Sequence, residues 1–164
     1  MSDFTPLWTL QELPTGRVLM GEQDRPLRRV LILEGQVQGA LSSWANLRGA
    51  GLPYLLDGGP GRLIWEHSER LLFPPKWALP SLAAGLRSLH AAGLAHGALL
   101  ELGVGVGSDG RARLWCPGLG EGDLKARQQR DLHHLDQWVA PHRLTLGLTS
   151  EDRLQTLHTL AGRA

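Results

Sequence analysis

Chemistry in a small protein needs particular side chains at particular spacings, and this chain offers several that can be weighed one by one. Gly16 and Gly21 stand at the separation of a phosphate-binding loop. The next two positions, which must supply a lysine and a magnesium-binding hydroxyl, hold Glu22 and Gln23. A carboxylate there repels phosphate, so the segment reads as a turn. Gly105-Val106-Gly107-Ser108-Asp109-Gly110 matches the dinucleotide fingerprint letter for letter, yet Arg111-Ala112-Arg113-Leu114-Trp115 alternates as a strand does. The fingerprint requires a helix N-terminus for the pyrophosphate, so a hairpin turn is predicted instead. Of the seven histidines, His133 and His134 are neighbours that point to different sides of a helix, and none are paired four apart. Cys116 is the only cysteine, so no thiolate set supports zinc, and no metal is assigned. A G-x-S-x-G elbow is missing too, which leaves a serine hydrolase without support.

The elements that would position these residues can be read from periodicity and turn signals. Trp8 to Glu12, Arg17 to Met20 and Arg28 to Leu33 read as strands, separated at Pro14-Thr15-Gly16 and Asp24-Arg25-Pro26. Val30-Leu31-Ile32-Leu33 is a continuous apolar run of the kind a buried strand shows. Gln36 to Arg48 is predicted to be a helix, with Val37, Ala40, Leu41, Trp44 and Leu47 as its apolar stripe. Leu52 to Leu56 and Arg62 to Trp65 form a predicted strand pair around Asp57-Gly58-Gly59-Pro60-Gly61. After Pro74-Pro75 a helix follows, with Pro80 near its start, Leu79, Leu82, Leu86 and Leu89 on one face, and Gly93 beyond its end. Leu102 to Val106 and Arg111 to Trp115 flank the Gly107 to Gly110 turn. Two closing helices carry Leu132, Leu135, Trp138 and Val139, and then Leu154, Leu157 and Leu160 behind a capping box of Thr149 and Asp152. The order defines an α+β class, with the sheet mostly ahead of the helices.

One longer pattern remains. Leu86-Arg87-Ser88-Leu89-His90-Ala91-Ala92-Gly93-Leu94-Ala95-His96-Gly97 ends a helix and enters a loop, the Val104 to Leu114 hairpin follows, and Cys116-Pro117-Gly118 comes next. This run resembles the centre of the protein-kinase-like family, from the long C-lobe helix through the catalytic loop to the metal-binding loop. Val30 to Leu33 is similar to that family's lysine-bearing strand, Gln36 to Arg48 to its N-lobe helix, and Leu63 to Glu66 to the strand that enters the hinge. Arg130-Asp131-Leu132 resembles the start of the helix whose Asp braces the catalytic loop. The resemblance covers roughly residues 7 to 140 and is most specific in the middle. It implies a single kinase-like domain over residues 1–164, with an N-lobe-like part at 1–66 (a small antiparallel sheet plus one helix) and a reduced, mostly helical C-lobe-like part at 67–164. The hinge falls on Trp65, Glu66 and His67.

The same resemblance implies that the chemistry is gone. Phosphoryl transfer is mostly positioning and charge neutralisation, so it depends on a few charged groups. The strand lysine falls on Leu33, and Gln36 to Arg48 contains no acid to partner it. The catalytic Asp falls on Ala98, the loop lysine on Leu100, the metal-binding Asn on Gly103 and the metal-binding Asp on Cys116, a poor magnesium ligand. Glu101 is the nearest acid in the loop. Twelve residues separate Gly118 from Asp131, with no A-P-E signature among them. What is kept, His96, Gly97, Gly118 and Asp131, is architectural. The pattern is that of a shortened, catalytically degenerate pseudokinase with no cofactor, acting through protein–protein interaction or regulation.

Composition bounds the partners. Seventeen basic and sixteen acidic residues leave a formal charge of +1, which gives nucleic acid or a membrane surface little to attract. Only Lys76 and Lys125 are lysines, the skew toward Arg, Leu, Ala and Gly being that of a GC-rich, bacterial-type sequence. No run approaches the roughly 18 apolar residues of a membrane span, no signal peptide is visible, and a lone cysteine fits a reducing cytoplasm. Lys76 and Trp77, behind Pro74-Pro75, are the first choice for a partner contact, and homodimerisation is a further expectation. Two other readings stay open: a residual nucleotide binder or atypical phosphotransferase using hinge backbone groups, and a generic α+β binding domain. Nucleic-acid binding through Arg25, Arg28, Arg29 and Arg62 is weakly motivated.

Overall fold

A computed structural model describes residues 3–164. Five strands, β1 (Phe4–Leu13), β2 (Gly16–Gln23), β3 (Arg28–Gly35), β4 (Leu55–Gly59) and β5 (Arg62–Glu66), form one antiparallel sheet in the order β1-β2-β3-β5-β4. Between β3 and β4 lies a short helix, α1 (Leu41–Ala45). A second, three-stranded sheet joins β6 (Glu69–Leu71), β7 (Val104–Val106) and β8 (Ala112–Leu114) in that order. The helical part consists of α2 (Leu79–Ala91), α3 (Leu99–Leu102), α4 (Leu124–Val139) and α5 (Arg153–Ala161).

The continuous apolar run in β3 is explained by burial on both of its faces. Leu31 and Leu33 join Val18, Leu63 and Trp65 in a core that continues into the leucines of α2, α4 and α5. Val30 and Ile32 face the other way and form a smaller cluster with Leu19 and Ile64, closed by Phe4 and Leu56. The predicted stripe of α2, Leu79, Leu82, Leu86 and Leu89, is buried along its length, as are Leu132, Leu135, Trp138 and Val139 of α4. The Gly107 turn is a hairpin: Gly107 N–H donates to the Arg111 carbonyl and Gly110 N–H to that of Gly107.

Four elements differ from the sequence reading. The predicted helix over Gln36 to Arg48 contracts to α1. Gly35 (φ 136°) and Gly39 (φ 79°) take left-handed backbone that a helix cannot continue through. The chain between them is drawn into other pairings, with Gln36 N–H donating to the Thr15 carbonyl, Gln38 N–H to that of Gly118, and Val37 bridged to Leu119. The strand expected at Leu52 to Leu56 is shifted to β4, because Gly51 is already paired with Arg113 and packs so closely on α2 that an added Cβ would stand 1.8 Å from the Ser81 carbonyl oxygen. Leu102 ends helix α3 instead of opening a strand, and Gly103 (φ 79°) makes the reversal into β7. The N-cap of α5 is Asp152, whose carboxylate accepts from the Leu154 and Gln155 amides, so Thr149 is not the cap. No helix among the described residues is long and apolar enough to cross a membrane.

Candidate functional site

The loop after α2 is fixed by side chains of α4. Gln128 Nε2 donates to the carbonyls of His90 (3.3 Å) and Leu94 (3.1 Å), holding the end of α2. One turn further along α4, fully buried Asp131 spans the loop itself: Oδ2 accepts from His96 N–H (2.7 Å) and Oδ1 from Gly97 N–H (3.0 Å). His90 Nε2 lies 3.0 Å from Asp131 Oδ2. Asp131 is the eighth residue of α4, not near its start as the sequence suggested, because Asp123 caps the helix by accepting from Ala126 N–H.

His96 is also fully buried, and its ring has a defined role. Ala98 N–H donates to Nδ1 (3.2 Å), so Nδ1 is the acceptor and Nε2 donates to the Trp115 carbonyl (2.9 Å). Both nitrogens are thus satisfied in the neutral imidazole. Burial holds the His96 pKa below the ordinary histidine value, with Asp131 opposing that shift. Gly118 N–H donates back to the His96 carbonyl (3.2 Å). Gly97 (φ 94°) must be glycine, since a Cβ would fall 1.7 Å from the Leu119 carbonyl oxygen. These bonds lock residues 96–98 against residues 115–119.

The positions that the resemblance assigns to chemistry are apolar. Leu33 is fully buried, and a Cβ on Gly118 would stand 3.0 Å from its Cδ2 and 2.9 Å from Leu63 Cδ1. Leu33, Leu63 and Gly118 therefore close directly on one another where a lysine and a metal ligand would need room. Trp44 completes that wall, with its Nε1 donating to the Gln38 carbonyl (2.7 Å) and its ring edge-on to Trp65 at 5.8 Å. Cys116 is buried with φ 49°, a left-handed conformation uncommon outside glycine, and burial pushes its thiol pKa well up. Ala98 is buried too, while half-buried Leu100 lines a slot with Phe73 and Trp138, and Gly103 lies at the Leu71 carbonyl.

Beside the braced loop an open cleft of ≈250 Å³ is lined by Thr15, Gly97, Ala98, Glu101, Glu121 and Arg130 among others. Glu101 and Glu121 are its carboxylates and Arg130, which donates to the Glu121 carbonyl, its cation. No lysine lines it. Trp65 is buried in the core, and Glu66 donates its N–H to the Tyr54 carbonyl (2.8 Å) while its carboxylate faces Arg113 at 3.6 Å. His67 is half-buried, and Lys76 and Trp77 are exposed away from the cleft lining. The structure thus brings His96, Gly97, Gly118 and Asp131 together with Leu33, Ala98 and Cys116, and leaves Leu100, Gly103, Lys76 and Trp77 outside.

Arg70 and Gln128 are the contributors that sequence reasoning missed. Arg70 Nε donates to the Leu102 carbonyl (2.8 Å) and Nη2 to Gln11 Oε1 (3.1 Å), and the guanidinium stacks 4.7 Å over the Trp115 ring. It ties β1 of the first sheet to the loop and to the segment before Cys116. Its only sequence signal was a three-residue strand too short to register. No protein-family model matches the chain, and no curated protein matches it.

Proposed function

We propose that this chain is a shortened, catalytically degenerate member of the protein-kinase-like family, a non-catalytic module that acts through protein–protein interaction or regulation. The observation that carries the reading is a contrast within one site. Asp131 braces the His96 and Gly97 amides as the family's helix Asp braces its catalytic loop, while Leu33, Ala98 and Cys116, the positions for lysine, base and metal ligand, are buried and apolar. The two-lobed reading draws further support from a five-stranded antiparallel sheet with a short helix against it, followed by a mostly helical half.

Phosphoryl transfer needs cations on the phosphates and an acceptor for the hydroxyl proton. At Gly118 the space for them is filled by Leu33 and Leu63. Glu101 and Glu121 in the cleft would repel phosphate, and one arginine, already donating to a carbonyl, does not replace a lysine and magnesium. Only Leu119 to Asp123 lie between the Gly118 region and α4, which is too little chain to dock a substrate peptide. The reading therefore expects no cofactor. A thermal-shift titration of the full chain with ATP and magnesium tests it: the midpoint is expected to stay put, and a rise of several degrees that requires magnesium would overturn the silent reading in favour of a nucleotide binder.

A further inference from the structure

Leu71, Leu72, Phe73 and Trp77 place four large apolar side chains in solvent within seven consecutive residues, Phe73 at 81% and Trp77 at 59% exposure. Together they present roughly 450 Å² of apolar surface. That is more than half of the about 800 Å² that one partner contributes to a standard interface. Phe73 itself forms one wall of a slot of ≈280 Å³, which Pro74, Leu100, Trp138 and Pro141 line with Gln137 and His142 as its polar members. An apolar cavity of about 150 Å³ already accommodates a benzene ring, so the slot is large enough for a phenyl group. An exposed ring and a slot that it borders, large enough for a second such ring, thus sit in one patch. A two-fold interface requires this arrangement, because the same surface must be complementary to itself. Charge does not oppose the pairing: the chain carries only +1, and Lys76 is the one formal charge between Leu71 and Trp77.

We propose that this face docks a second copy of the same chain, with Phe73 of each copy seated in the Trp138–Pro141 slot of the other. The assignment goes beyond the reading of the cleft and stands if that reading fails, since it rests on the shape and polarity of a different surface. Sedimentation velocity with light scattering on the full chain, across the micromolar range, tests it. A concentration-dependent species of twice 17.9 kDa is expected. Phe73→Asp removes the ring and Gln137→Trp fills the slot from the exposed face of α4, and each is expected to weaken dimerisation at least about tenfold. Leu27→Asp, 73% exposed in the turn between β2 and β3, leaves the dimer unchanged. All three positions are accessible enough for the fold to survive, which circular dichroism verifies. A chain that stays monomeric throughout, including one whose Phe73 face instead takes up a peptide, overturns the proposal, as does a dimer insensitive to both disruptive variants.

Discussion

Asp131 satisfies three donors at once, two of them consecutive backbone amides with no access to water. Removing the carboxylate strands those amides, and an unpaired buried donor costs about 1–3 kcal/mol. Asp131→Ala is accordingly expected to lower unfolding stability by about 3–5 kcal/mol, read as a fall in the urea midpoint at constant m value. Asp131→Asn, which keeps one acceptor oxygen, should lose less. Leu33 makes the opposite case. Placing a lysine there forces an ammonium into the contact with Leu63 and Gly118, so Leu33→Lys should cost at least about 3 kcal/mol and gain no ATP affinity. The contact of Asp131 with the loop was legible in the sequence because the L-H-A-A-G-L-A-H-G run marks the loop and Arg130-Asp131-Leu132 marks the helix beside it. Arg70 and Gln128 were not: Gln128 bonds only backbone carbonyls, which leave no trace in side-chain types, and the side-chain partners of Arg70, Gln11 and Trp115, are far from it in sequence.

At the scale of elements, α2 and α4 were readable because a long helix repeats its apolar stripe many times, and the stripe alone identifies the buried face. The segment at 36–48 has such a stripe but no acidic residue, two bracketing glycines and a competing partner in residues 118–119. Tertiary pairing overrode its periodicity. β6, at three residues, carries too little pattern to be seen at all. The start of α5 shows how little separates two readings of a cap. Thr149 and Asp152 fit a capping box by spacing, but Asp152 itself accepts from the first turn. Asp152→Ala is expected to cost about 1 kcal/mol, the usual worth of an N-cap, whereas Thr149→Ala should leave the thermal midpoint where it is. Equal effects at the two positions would restore the capping box.

In the molecule as a whole, the core runs without interruption from the inner face of the five-stranded sheet into the helices. Its buried histidines give the fold a pH dependence. Burial lowers the pKa of His96 and of His134, with nearby Asp131 and Glu101 opposing in both cases. In the unfolded chain both titrate near 6.5, so the unfolded state takes up protons first as the solution is acidified. Stability is therefore level above that value and declines as pH falls through it, by up to about 1.4 kcal/mol per pH unit for each histidine. Urea unfolding between pH 7.5 and 5.5 (about one unit either side of the ordinary value) checks this, and a flat profile would mean that neither ring is held neutral.

On the proposed reading, the scaffold around Asp131 is kept while the machinery for binding phosphate is lost. That reading is tested most directly by titrating the unaltered chain with a fluorescent ATP analogue and magnesium, reading energy transfer from its tryptophans, of which Trp44 and Trp65 wall the closed site. No saturable transfer is the predicted result. Saturable, magnesium-dependent transfer that unlabelled ATP competes away would contradict it.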